Sequence, residues 1–168
     1  MSSESSPYEL GSELFLELQK RSRPVSLPQG SFLFYQGQRA DGVYVISSGQ
    51  VRLSFMSATG KVLALRTVGP SSVLGLPAIV TNKPYSLNAE IVEESRVGYV
   101  PLEDLVELMR SNTAFAFQVI ELLGMEVREI REALVNASVL GGPTRESAAL
   151  GGRWVVPGSS LYPDKRPF

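Results

Sequence analysis

Residues 43–55 read VYVISSGQVRLSF and carry the clearest strand pattern in the chain. Apolar side chains alternate with their neighbours at Val51, Leu53 and Phe55, and a shorter alternation precedes Ser48-Gly49. A period of two residues places successive side chains on opposite faces of a β-strand. Because glycine accepts positive φ, Ser48-Gly49 is a turn signal. The stretch therefore predicts two short strands joined by a turn.

The same pattern extends through residues 25–100. Short runs rich in Val, Leu, Phe, Tyr and Ser are separated by glycines every few residues. Thr59-Gly60 has the composition of a hairpin turn, and residues 87–92 and 96–100 form the last two runs. Regularly spaced short strands with turn signals favour a sandwich or a barrel of about eight strands. The glycines are Gly30, Gly37, Gly42, Gly49, Gly60, Gly69 and Gly75.

A helix is expected before the strands. Residues 1–8 are polar, and we expect them to be flexible. Apolar residues then recur at helical spacing over 8–20, with Ser12 as a candidate cap. Pro24 closes this segment, because a proline disfavours helix in the residue before it.

Two more helices are expected after the strands. Pro101, which is tolerated at a helix start, precedes a short helix that reaches Met109. A longer helix follows over 113–138, with Thr113 as its expected N-cap. On one side of this helix, apolar residues recur in a heptad-like pattern, and we call this row the stripe. A second apolar side of the helix lies next to the stripe. The stripe consists of Ile120, Leu123, Val127, Ile130 and Leu134, and the second side of Phe115, Val119 and Leu122.

These two apolar sides leave two interpretations open. The helix packs only on its own barrel, or it packs on the barrel with one side and on a second helix with the other. Two adjacent stripes favour the second interpretation, namely a homodimer through the long helix, with the stripe as the dimer interface.

Composition excludes several classes of site. The chain has 168 residues, of which 43% are hydrophobic and 20% are charged, with a net charge of −1. There is no Cys and no His, which removes thiolate chemistry, Ser-His-Asp triads and the usual catalytic zinc sites. The near-neutral charge gives no overall footprint for nucleic acid. No signal peptide or membrane-spanning run is apparent, so we expect a cytoplasmic protein without membrane contact.

The order of these elements and the local text resemble the effector domain of the Crp/Fnr family. The phrases FYQG at 34–37, VYVISSGQV at 43–51, VLGL at 73–76, YSLNA at 85–89 and RVGYVP at 96–101 carry the resemblance. It implies a mainly β fold with flanking helices: a cyclic-nucleotide-binding-type jelly roll (a cupin-like double-stranded β-helix) with an N-terminal helix and a long C-terminal dimerisation helix. The sensor domain would span 9–140.

The resemblance also implies a ligand cassette, and here the sequence departs from the family. Members that bind cyclic nucleotides place a Glu after the cassette glycine and an Arg about ten residues on, for the ribose and the phosphate. Here Leu76 follows Gly75, and Ser86 stands near the arginine position. An anionic phosphate in a partly dry pocket needs a fixed cation. We therefore expect no cofactor and no ordinary response to cyclic AMP.

The family also places polar side chains of the long helix against the purine. The resemblance puts Ile130 and Arg131 of this sequence at those positions. The candidate ligand-binding residues are Gly75, Leu76, Pro77, Ala78, Ser86, Leu87 and Arg131. Cassette side chains either fill the barrel mouth or hold an apolar or otherwise different small-molecule effector.

The tail, residues 141–168, is rich in Gly, Pro and Ser and contains no recognisable DNA-binding domain. We expect a non-enzymatic, dimeric sensor module that regulates transcription or signalling through a partner and does not bind DNA directly. One alternative is a regulator of the same family whose DNA-binding domain is absent from this chain. A remote alternative is a small cupin-type enzyme, although cupins usually hold a metal with histidines.

Overall fold

The computed structural model describes residues 6–140, so the predictions for residues 1–5 and for the tail lie outside the described residues. Six strands and four helices make up this part of the chain. In chain order they are α1 (Ser12–Gln19), β1 (Arg23–Leu27), β2 (Phe32–Phe34), β3 (Gly42–Met56), β4 (Val62–Val68), β5 (Val73–Leu74), α2 (Leu76–Thr81), β6 (Asn88–Pro101), α3 (Leu102–Ser111) and α4 (Thr113–Leu140).

The two longest strands, β3 and β6, form the centre of an antiparallel sheet. The sheet has the order β1-β6-β3-β4, while β2 pairs with β6 and β5 pairs with β3. The predicted β-rich core with flanking helices and a long C-terminal helix is confirmed.

The expected number of strands is wrong, because two pairs of predicted strands are each continuous. Residues 43–46 and 51–56 belong to β3, and residues 87–92 and 96–100 fall almost entirely within β6. Ser48-Gly49 does not reverse the chain; the β3–β6 register shifts there instead. Gly49 has φ +95°, and a Cβ on it would lie 2.6 Å from the Glu94 carbonyl oxygen. The glycine therefore allows close approach of β6 at an irregularity within the strand.

Thr59-Gly60 does turn a hairpin, as expected. It connects β3 to β4, and Gly60 has φ +86°. The Ser57 amide donates to the carbonyl oxygen of Lys61 at 2.8 Å, which closes the turn.

The helix caps differ from the expected ones. Helix α1 begins only at Ser12, with Gly11 as its N-cap and without a side-chain cap. At α4 the capping side chain is Asn112, whose Oδ1 accepts from the Phe115 amide at 3.1 Å. Asn112 has extended backbone angles, so it ends α3 and caps α4 in place of Thr113.

Two apolar clusters hold the fold together. One lies inside the barrel and includes Phe34, Leu53 and Ile91. The other lies between the sheet and the helices, where Phe115 and Leu122 of α4 pack. One apolar side of α4 is thus buried against its own domain, which leaves the other side to be accounted for.

Candidate functional site

The cassette forms the turn from β5 into α2. Gly75 has φ +100°, and a Cβ there would lie 2.9 Å from Cε1 of Tyr85. A side chain at this position would be strained by the backbone and crowded by the ring. The ring is held in place, because the Tyr85 hydroxyl donates to the Gly42 carbonyl oxygen at 2.8 Å.

Five of the seven candidate ligand residues line one small cavity. They are Gly75, Pro77, Ala78, Ser86 and Leu87. Leu76 is buried on the other side of α2, in the cluster that contains Leu105 and Phe115. Arg131 is exposed on α4 and does not line the cavity. The assignments of Leu76 and Arg131 to the ligand site are therefore not supported by their positions.

The cavity is almost filled. Its volume is about 10 Å³, which is room for one water molecule. Phe34 and Tyr85, which both line the cavity, stack on each other with their ring centroids 4.0 Å apart. Leu53 and Leu74 complete the apolar wall.

Tyr8, which belongs to the segment before α1, closes the cavity. Its side chain lines the cavity and is 2% exposed. The Val73 amide donates to the Tyr8 carbonyl oxygen at 2.7 Å, and the Leu10 amide donates to that of Ser71 at 3.0 Å. The helix expected over 8–20 is shorter, since Tyr8 lies in a turn and Glu9 forms an isolated bridge with Ser72, just before the cassette.

Glu126 brings a carboxyl group to the same cavity. It lies on α4 and is 5% exposed. Burial disfavours the charged form and raises the pKa of Glu126 to about 7. The neighbouring Glu129 charge also raises this pKa, while the Tyr8 hydroxyl lowers it.

The Tyr8 hydroxyl is buried beside the Glu126 carboxyl and favours its charged form, although the pair falls outside strict hydrogen-bond geometry. Burial is also the main cause that raises the pKa of Tyr8 far above its ordinary range, so the phenol keeps its proton. A buried donor without a good acceptor is costly, which sets Tyr8 apart from an ordinary core residue.

An ion pair borders this cluster. Arg66 Nε on β4 donates to Glu129 Oε1 on α4. The second oxygen, Glu129 Oε2, is buried without a partner among the described residues. Arg66 is thus already paired, and the polar part of the site contains two carboxyls, Glu126 and Glu129, against one guanidinium.

The sequence alone did not identify Tyr8, Glu126 or this ion pair as parts of the site. The available signals were weak: a single aromatic residue in a polar N-terminal segment, and a Glu one position before Val127 of the apolar stripe. A lone Tyr in a polar segment and a Glu beside an apolar stripe do not show from the sequence whether their side chains are buried or exposed.

The other side of α4 is uncovered. Phe117, Ile120 and Val127 are 68%, 62% and 57% exposed. Leu123, Ile130 and Leu134 of the expected stripe are half-buried. Apolar side chains of this size in one row form an exposed patch on the helix.

The family model described as cyclic nucleotide-binding domain matches residues 24–112, more than half of the chain. The chain belongs to the cyclic nucleotide-binding domain family. Tyr8, Glu126 and the exposed face of α4 all lie outside the matched residues. The groups that close the cavity therefore come from segments that flank the family domain.

Named relatives agree with the Crp/Fnr resemblance. The transcriptional activator protein Anr of Pseudomonas protegens is 30% identical over 122 residues, which is 73% of this chain and 49% of that protein. The catabolite activator protein structure of Thermus thermophilus superposes with a TM-score of 0.65 at 28% identity and covers 81% of this chain and 63% of that one. This likeness confirms the jelly-roll fold and the Crp/Fnr type.

The domain also occurs in a different setting. The neuropathy target esterase sws of Drosophila willistoni is 26% identical over 124 residues, which is 70% of this chain and only 8% of that protein. The chain spans about half the length of the regulators that it matches, for example 53% of the anaerobic regulatory protein of Bacillus subtilis. Among residues 6–140, none of the helices has the length and apolarity that crossing a bilayer requires.

Proposed function

We propose that this chain is a dimeric, non-enzymatic Crp/Fnr-like sensor module that acts in transcriptional regulation or signalling through a partner. The observation that carries the proposal is the exposed apolar face of α4. Phe115, Val119 and Leu122 are already buried against the domain, whereas Ile120 and Val127 are left exposed by residues 6–140.

A symmetric pair of α4 helices is the simplest way to cover this face. Isologous pairing is the commonest closed arrangement, and it places the same stripe on both partners. Each fully buried Leu, Ile or Val contributes roughly 1.5–3 kcal/mol before association costs are subtracted. Gly124 lies beside the stripe, and a Cβ there would meet nothing within 4 Å, so a second helix has room to approach.

Three observations support the proposal that cyclic AMP and cyclic GMP are not the effectors. The cavity is filled, Arg66 is paired with Glu129, and Glu126 adds a carboxyl where an anion would need a cation. Ser86 is exposed at the rim and carries no charge to pair with a phosphate. Desolvating a phosphate beside carboxyls would cost several kcal/mol.

A second candidate is a transcriptional regulator of the same family whose DNA contact is made outside this chain. The names of the relatives favour it, since several are transcriptional activators or regulators. The two candidates share the sensor module and differ only in where the DNA reader is.

Light scattering on the chain tests the dimer. We expect about twice the monomer mass of 18.3 kDa at tens of micromolar protein. Val127→Glu together with Ile130→Glu should yield monomers, because like charges would meet near the two-fold axis. Val62→Glu is the matched control, since Val62 is equally exposed but lies on β4. A monomeric unmodified protein, or a double variant that stays dimeric, would contradict the proposal.

A further inference from the structure

An open groove runs along the outer side of α3. The described residues that line it form two rows along the helix, and within each row the spacing is four residues. The rows are Leu102, Val106 and Arg110, and Glu103, Glu107 and Ser111. The groove has a volume of about 580 Å³, which is in the range of sites that take up a drug-sized molecule. It therefore has room for several side chains of a partner segment.

The helix that carries this groove is held firmly in the fold. On its inner side, Leu105 and Leu108 are buried in the same cluster as Phe115 of α4. At its start, the Leu102 amide donates to the Asp41 carbonyl oxygen at 3.0 Å. Leu102 is nevertheless 38% exposed, so packing among residues 6–140 leaves the groove open.

The two rows differ in chemistry. Leu102 and Val106 form an apolar row, and the exposed side chains of Glu103 and Glu107 form an acidic rim beside it. Among residues 6–140, neither carboxylate of this rim takes part in an ion pair. Arg110 lies at the far end of the groove, after both acids. A segment that fits must bring apolar side chains together with a positive charge.

One stretch of the chain after α4 has this composition. Residues 153–156 read RWVV, and they contain the only three consecutive large apolar side chains in 141–168. Arg153 is the only charged residue between Glu146 and Asp164, so this stretch carries a net positive charge. It therefore complements the apolar row and the acidic rim together.

The stretch is also long enough to reach the groove. With 28 residues, α4 is about 42 Å long. Because α3 packs beside the first turns of α4, about this distance separates Leu140 from the groove. The 13 residue steps from Leu140 to Arg153 extend up to about 43–47 Å. A contact within one chain is thus possible without any change in α4.

We propose that residues 153–156 dock in the α3 groove of the same chain. The Trp154 ring covers the apolar row, and the Arg153 guanidinium meets the acidic rim. A contact of four residues is weak by itself, but a short linker gives an effective concentration of about a millimolar. A contact with a Kd of about 0.1 mM would then be about 90% formed. The docked segment does not depend on a dimer through α4.

The first experiment uses Trp154, the only Trp of the chain, as a fluorescent reporter. Acrylamide should quench it at least about threefold less in the unmodified protein than in the urea-unfolded chain, because docking shields the ring. Leu102→Asp places a carboxylate in the apolar row and should remove this protection. Leu16→Asp is the matched control, since Leu16 is 54% exposed but lies on α1, and it should leave the protection unchanged.

The second experiment is a charge exchange between the segment and the groove. Arg153→Glu alone should weaken the protection of Trp154, because the new carboxylate meets the acidic rim. Glu103→Lys together with Glu107→Lys should weaken it as well. Combining all three substitutions should restore at least about half of the protection, since the signs are then opposite again. A substitution that only disturbed the fold would not be rescued in this way.

Trp154 that is quenched in the unmodified protein as strongly as in urea would overturn the proposal. Protection that survives Leu102→Asp and both charge reversals would also overturn it, because the ring would then lie elsewhere. Protection lost only in the Val127→Glu and Ile130→Glu double variant would place the ring at the dimer stripe and overturn it too. If Leu102→Asp fails to fold, the charge exchange decides. Light scattering on Arg153→Glu should still give the mass of the unmodified protein, so this proposal and the dimer fail separately.

Discussion

The Glu126 carboxyl is an ionisable group that lines a cavity of only about 10 Å³. Tyr8 faces it from the N-terminal segment, Glu129 lies one turn further along α4, and Arg66 approaches from β4. Its pKa is about 7 in the fold, against an ordinary value of 4.5. The folded state therefore holds this proton more tightly than the unfolded chain does. The stabilisation is fully present below about pH 4.5 and is lost as the pH rises through 7.

Glu126→Gln removes this titration and leaves a neutral side chain of the same shape. We expect the unfolding free energy of the unmodified protein, relative to that of the variant, to fall by about 3 kcal/mol between pH 4.5 and pH 8. Urea unfolding of both proteins across this range measures it. A difference that stays constant with pH would show that Glu126 is not a buried acid.

Leu76 was expected beside the ligand, but its side chain packs against α3 and α4. It is buried in the cluster with Leu105 and Phe115. Leu76→Glu would therefore bury a charge without a partner instead of restoring a nucleotide contact. We expect a loss of at least about 3 kcal/mol of unfolding free energy, and less than about 1.5 kcal/mol for Leu76→Met. A Leu76→Glu variant as stable as Leu76→Met would place the side chain at the pocket after all.

At the level of elements, the close approach of β6 to β3 depends on Gly49. Gly49 and Gly60 both have positive φ, but only Gly49 is in close contact with its surroundings. A Cβ on Gly49 would collide with Ser95 Oγ, whereas one on Gly60 would meet nothing within 4 Å. Comparing substitutions at Gly49 and Gly60 therefore separates the free-energy cost of steric crowding from that of backbone strain.

Gly60→Ala should cost about 1–2 kcal/mol of unfolding free energy, because only the left-handed conformation is penalised. Gly49→Ala should cost at least about 2 kcal/mol more, since the contact with β6 must also open. Thermal or urea unfolding compares the two variants. Equal losses would show that β6 is not tightly apposed to Gly49.

The local sequence pattern predicted whether a segment is strand or helix better than it predicted whether two neighbouring strands are one continuous strand. The alternation around Val51 indicates strand whether the chain turns at Ser48-Gly49 or continues through it. What decides between these is the partner strand, where Ser95 Oγ accepts from the Gln50 amide at 3.1 Å and donates to the Glu93 carbonyl oxygen at 2.6 Å. A contact between residues that lie far apart in sequence leaves no mark in the local pattern, so the merged strands were not foreseen.

The same reasoning explains what was predicted of α4. Its start and its two apolar sides follow from helical periodicity, which is a local property. The side buried on the barrel, with Phe115 and Val119, matches the expectation. The stripe as a dimer interface stays a prediction, because only a second copy of the chain can cover it.

At the scale of the whole molecule, the site is assembled from three distant segments. Tyr8 comes from the segment before α1, Glu126 from α4, and Gly75 and Ala78 from the cassette between them. The resemblance to the family located the cassette, because the phrases that carry it, residues 73–76 and 85–89, are each continuous in the chain. It missed the other two because a Tyr in a polar segment and a Glu on a helix are ordinarily exposed.

The same assembly is the basis of our proposal that this chain does not bind the cyclic nucleotides of its family. The matched residues 24–112 supply the barrel and the cassette, while the flanking segments supply the ring and the carboxyl that close it. The pocket is thus small and includes the carboxyl of Glu126 in its lining, which is the geometry that the proposal rests on.

Calorimetric titration of the unmodified protein with cyclic AMP and cyclic GMP tests the closed pocket most directly. No saturable heat should appear for either nucleotide up to about 1 mM, because the cavity holds about 10 Å³ and the guanidinium of Arg66 is paired. A Kd of about 10 µM or tighter for either nucleotide, with one site per chain, would contradict this expectation.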